Sequence, residues 1–121
     1  MKKLTYKEAY DKIIDAYFKD EIQPMNPNFC FCGTLCNNST YWFNGRMLRE
    51  RNDSHGYTAR ELVRMEDALI FNDTPWRMIL TSFNKNHPLY EDALFAGMSA
   101  SLDELRKIHL ERGENIDEVP Q

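Results

Sequence analysis

Residues 88–113 read PLYEDALFAGMSASLDELRKIHLERG, and where this stretch places its side chains decides the fold. Pro88 suits the first turn of a helix, and Glu91 and Asp92 complement the positive end of its dipole. Arg106, Lys107, His109 and Arg112 complement the other end, and Gly113 can take the left-handed conformation that stops a helix. The pattern predicts one helix of about 25 residues, nearly 40 Å long at 1.5 Å per residue. Two adjacent stripes run along it. Leu94, Met98, Leu102, Leu105 and Ile108 make a core face, while Ala93, Gly97 and Ser101 recur at i, i+4 and i+8 with side chains small enough to admit another helix closely. Packing within the chain is the simpler use of that small stripe; self-association through it is the alternative.

Working back from this helix, two further helices announce themselves by their starts. Thr5-Tyr-Lys-Glu8 is a capping box ahead of Ala9, Tyr10, Ile13, Ile14, Tyr17 and Phe18, which predicts a helix over about residues 5–19. Thr58-Ala-Arg-Glu61 is a second capping box, with Leu62, Val63, Met65, Leu69 and Ile70 as its buried face. Asp73-Thr74-Pro75 opens another helix bearing Trp76, Met78, Ile79 and Phe83. The segment Phe29 to Asn37 reads as a short helix capped by Asn28 and ended by Asn37-Asn38. Tyr41-Trp42-Phe43 before Asn44-Gly45 has the make-up of a brief strand and turn.

The expected architecture is therefore mostly α: a compact four- or five-helix single domain spanning residues 1–121, with a long C-terminal helix and a small β element near residues 41–47. Its core is expected around Ile13, Tyr17, Leu62, Leu69, Ile79, Leu94, Met98, Leu102 and Leu105, and residues 113–121 form an acidic tail. At 121 residues the chain can bury a core large enough to fold without a metal or disulfide. No stretch is apolar enough for a signal peptide or a membrane span, which points to a soluble, cytoplasmic protein.

Net charge is −4, which disfavours non-specific binding to nucleic acid, because neutralising phosphates needs a basic face. The charge is unevenly spread. Arg46, Arg49, Arg51, Arg60 and Arg64 fall close together, whereas the C-terminal end is acidic. No H-x-x-x-H pair, Walker loop or G-x-G-x-x-G turn is present, so the sequence carries no motif for metalloprotease, P-loop or Rossmann chemistry.

All three cysteines lie in NFCFCGTLCNN, residues 28–38. Cys30, Cys32 and Cys36, with His55 as a fourth ligand, are the residue types of a zinc site, but structural zinc usually draws on paired knuckles. On a helix, Cys30 and Cys32 would point about 200° apart. A nucleophilic Cys30 with His55 or His87 as base lacks a recognisable motif. The thiols read best as small buried hydrophobes, with neither metal nor cofactor implied.

The aromatic and arginine-rich middle is the better functional candidate. Tyr41, Trp42, Phe43, Arg46, Arg49, Arg51, His55 and Tyr57, joined by Trp76 and Arg77, combine stacking faces with guanidinium forks, the groups that hold a base and a phosphate. A solvated loop, with Trp42 and Phe43 covering the core, is the competing reading.

The stretches NPNFCFCGTLCNN and HPLYEDALFAGMSASLDELRKIHLERGENID resemble a family of small uncharacterised proteins encoded by phages and mobile elements of gut bacteria. The resemblance spans both ends of the fold and leaves out the arginine-rich middle. It implies a phage accessory context and carries no catalytic residues with it. The expectation is thus a non-enzymatic binding module, homo-oligomeric, for a small anionic or nucleotide-like ligand, in an anti-defence role that sequesters a nucleotide signal. The alternative is a protein-interaction or assembly component acting through the long C-terminal helix.

Overall fold

The computed structural model describes residues 3–23, 26, 29–36, 56–71 and 86–114. These residues are mostly α, in four helices: α1 (Tyr6–Phe18), α2 (Phe31–Leu35), α3 (Ala59–Phe71) and α4 (Tyr90–Glu111). Among the described residues there is no strand. The strand and turn expected near residues 41–47 and the helix expected from Pro75, with Ile79, lie outside them. No helix of the described residues is long and apolar enough to cross a membrane.

Both capping boxes form. Thr5 Oγ1 accepts from the Glu8 amide at 3.1 Å while the Thr5 amide donates to Glu8 Oε1 at 3.0 Å. Thr58 and Glu61 repeat the exchange at 3.1 and 3.0 Å. Each box satisfies two amides that the first turn leaves unpaired, so each start is set by local chemistry. The Cys segment differs from expectation. Its helix has five residues, and Cys30, not Asn28, occupies the N-cap, with its Sγ accepting from the Gly33 amide at 3.4 Å.

The long helix has 22 residues, roughly 33 Å at 1.5 Å each, and begins after Leu89 rather than at Pro88. It ends as Gly113 predicts. Gly113 takes φ +80°, its amide donates to Leu110 O at 2.9 Å, and the Glu114 amide reaches His109 O at 3.2 Å. That pair of bonds is a Schellman motif, and it folds Glu114 back over the last turn.

α3 and α4 form the most extensive helix pair, and the small stripe lies between them. Ala93, Gly97 and Ser101 are buried, and Ser101 Oγ donates to Met65 O at 2.6 Å. A Cβ on Gly97 would stand 2.5 Å from Leu69 O, so the stripe brings the two backbones together and leaves no room there for a second copy. Packing within the chain, the simpler of the two uses read from the sequence, takes this surface. Arg64 ties the same pair at its far end, pairing with Glu104 at 2.9 Å and Glu111 at 3.0 Å.

The core contains Ile13, Leu62, Leu69, Leu94, Met98 and Leu105 as expected, with Tyr17 and Leu102 partly buried against it. Val63 departs from its predicted place and is 51% exposed. Leu62, Met65 and Leu69 already claim the inward face at i, i+3 and i+7, which turns the next position about 100° away from it. Phe18, the last residue of α1, is likewise 77% exposed.

Candidate functional site

Of the candidate ligand residues, Tyr57 is described; Tyr41, Trp42, Phe43, Arg46, Arg49, Arg51, His55, Trp76 and Arg77 lie outside the described residues. Tyr57 offers no open face. It is 0% exposed, its hydroxyl lies 2.7 Å from His109 Nε2, and the Arg112 guanidinium sits 5.0 Å over its ring. The stacking partner that a ligand would supply is supplied here by the protein.

Tyr57 opens a buried chain of polar groups. His109, in the last turn of α4, is 0% exposed and meets Tyr57 edge-on at 5.6 Å and Tyr6 at the same separation. Its Nδ1 lies 2.5 Å from Glu114 Oε2, which the Schellman turn has delivered there. The other oxygen, Glu114 Oε1, accepts from the Tyr6 amide at 2.6 Å. The His109 ring thus bridges two groups, with Nδ1 toward the Glu114 carboxylate, which can only accept, and Nε2 toward the Tyr57 hydroxyl. Arg112 closes the group, donating to Gly56 O at 2.6 Å and Glu61 Oε1 at 2.7 Å.

Burial pushes the Tyr57 hydroxyl far above its usual range and outweighs the pull of Arg112, so it stays a donor. Burial alone would raise Glu114, but the bonds from His109 and the Tyr6 amide, helped by Arg112, bring it below the ordinary carboxylate value. Tyr–His–carboxylate order is suited to passing a proton, yet its first two members are enclosed. In the fold it acts as a lock joining the start of α1, the approach to α3 and the end of α4.

A second polar cluster surrounds the thiols. Glu66 on α3 accepts from the Cys32 amide at 3.2 Å, and Cys32 Sγ donates to Leu62 O at 3.1 Å. Burial, then the neighbouring Glu66 charge, pushes the Cys30 and Cys32 thiols upward; burial also raises Glu66. A reactive cysteine needs the opposite environment, exposed and electropositive. All three cysteines are buried thiols outside any disulfide, and their burial is as the sequence predicts. Among the described residues, no group of three or more His, Cys, Asp or Glu is placed to hold a metal ion. The thiols of the folded protein are expected to react with a disulfide reagent about 10³-fold more slowly than those of the denatured chain, because exposing them requires an opening worth on the order of 4 kcal/mol. Rapid labelling of any of them in the native protein contradicts this burial.

Sequence reasoning missed the His109–Glu114 lock, treating His109 as a terminal charge and Glu114 as part of a tail. The signal was present. His109 stands four residues after Leu105 on the core face, and a Gly113 stop turns the following residue back onto the helix. No protein-family model, curated protein or solved structure matches the chain.

Proposed function

We propose that the protein is a non-enzymatic binding module whose arginine- and aromatic-rich stretch captures a small anionic or nucleotide-like ligand, as a phage accessory protein sequestering a nucleotide signal of host defence. One observation carries the reading: this stretch leaves and rejoins the scaffold at two secured points. Cys36 is buried at the end of α2, where Lys12 Nζ also donates to Leu35 O at 3.1 Å. On the return, Arg112 holds the Gly56 carbonyl and Tyr57 is locked to His109. Fixed ends lower the ordering cost that a binding segment meets on capture, and segments mounted this way commonly carry function. The two stretches that resemble phage-encoded proteins support the biological setting.

Thermal-shift and calorimetric titration with linear and cyclic nucleotides tests the proposal. A ligand at 100 times its Kd should stabilise the fold by about 2.7 kcal/mol, and Arg46→Ala or Arg49→Ala should abolish the response. No response to any nucleotide overturns it. The second reading, an assembly component acting through the long helix, is favoured by Phe95 of α4, which is 62% exposed. A chain that ignores nucleotides yet sediments as an oligomer dissociated by Phe95→Ser supports that reading instead.

A further inference from the structure

A groove of about 220 Å³ runs between α1 and α4, sharing Tyr6 with the Tyr57 lock. Tyr6 and Tyr10, one turn apart, form the α1 wall; Ser99, Leu102, Asp103 and Arg106 form the α4 wall. The two tyrosine rings are tilted at 51° with centroids 5.9 Å apart, so aromatic surface lines one side. Arg106 is the unusual member of the other. Its Nε is buried and has no hydrogen-bond partner. The nearby acid does not answer it, because Asp103 pairs with Lys107 at 3.0 Å. A buried donor without an acceptor is unfavourable, and a guanidinium beside aromatic faces suits a planar anion.

Size narrows the choice. Drug-sized pockets occupy roughly 300–1,000 Å³, so this groove suits one ring carrying one anionic group. We propose that the groove between Tyr10 and Arg106 is a binding site for a small planar organic anion, an aromatic or heteroaromatic ring bearing a single carboxylate or phosphate. The ring lies against Tyr10 and the anionic group accepts from the Arg106 guanidinium, a rotation of that side chain bringing its buried Nε to the ligand. Asp103, neutralised by Lys107, and the Ser99 hydroxyl offer acceptors to a ring N–H. The site uses none of the residues of the arginine-rich stretch, and it stands or falls separately from the function proposed above.

The test is a two-dimensional amide NMR titration of the full chain with benzoate, indole-3-acetate and adenosine monophosphate. Saturable shifts at Tyr10 and along residues 99–106 are expected with at least one probe. Arg106→Met, which keeps the aliphatic stem, should weaken that binding at least about tenfold, while Arg46→Ala and Arg49→Ala leave it unchanged. Tyr10→Leu provides a second variant that removes the ring and retains apolar bulk. Response to the carboxylates alone, or to the nucleotide alone, supports the site and decides the source of its ligand. No saturable shift with any probe at millimolar concentration overturns the proposal, as does undiminished binding in Arg106→Met and Tyr10→Leu. Loss of nucleotide binding in Arg46→Ala with the groove's response intact separates the two sites.

Discussion

Gly97→Ala is expected to destabilise the protein by about 3 kcal/mol, at the upper end of the usual penalty for overpacking. Helix propensity alone argues the other way, since alanine is favoured over glycine by about 1 kcal/mol in a helix interior. The close approach wins. An added Cβ meets the Leu69 carbonyl oxygen at 2.5 Å and Leu69 Cδ1 at 3.1 Å. The side-chain atom can rotate aside, but the oxygen belongs to helical backbone, so relief requires α3 to move from α4. That movement would also stretch the 2.6 Å bond from Ser101 to Met65 O. Urea denaturation measures the loss directly, and a melting temperature lower by roughly 10 °C should accompany it. Unchanged or increased stability would mean that the two helices are not in contact through this stripe.

His109→Ala is expected to cost about 3–4 kcal/mol, for a different reason. The substitution removes a ring packed against Tyr6 and Tyr57 and leaves the buried Tyr57 hydroxyl and one Glu114 oxygen without their partner. It should also change how stability depends on pH. Glu114 has a lowered pKa in the folded protein, so its contribution is fully present above the unfolded carboxylate value of about 4.3 and is lost as pH falls through the lower, folded value. Urea midpoints followed downwards from pH 6 should show that acid-side loss in the native sequence and a weaker one in His109→Ala. Glu114→Gln, which keeps the shape and removes the titration, should flatten it further. An equally steep acid limb in all three proteins would remove Glu114 as its source.

The parts of the fold that were legible in sequence are those decided within a few residues. Thr5 with Glu8, Thr58 with Glu61, and Gly113 each do their work inside one helical turn, and each sits where its chemistry predicts. The small stripe was legible as a close-approach surface, but its partner was not, because Gly97 meets Leu69 across 28 positions of sequence. Val63 shows the limit of reading an apolar residue as a buried one when three neighbours already fill the inward face. The candidate site was harder still. Tyr57 belongs by composition to the aromatic and arginine-rich stretch, and only its contacts with His109 and Arg112 reveal that it serves the scaffold. Those contacts join residues more than fifty positions apart, and neither periodicity nor spacing records them.

The bond from the Tyr6 amide to Glu114 joins residues 108 positions apart. On a ribosome adding about 5–20 residues per second, its acceptor is made roughly 5–20 s after its donor. Through that interval the first turn of α1 must rely on the Thr5–Glu8 exchange, which needs no residue beyond its own helix. The nascent helix is thus held by a temporary local clasp until synthesis delivers the permanent one.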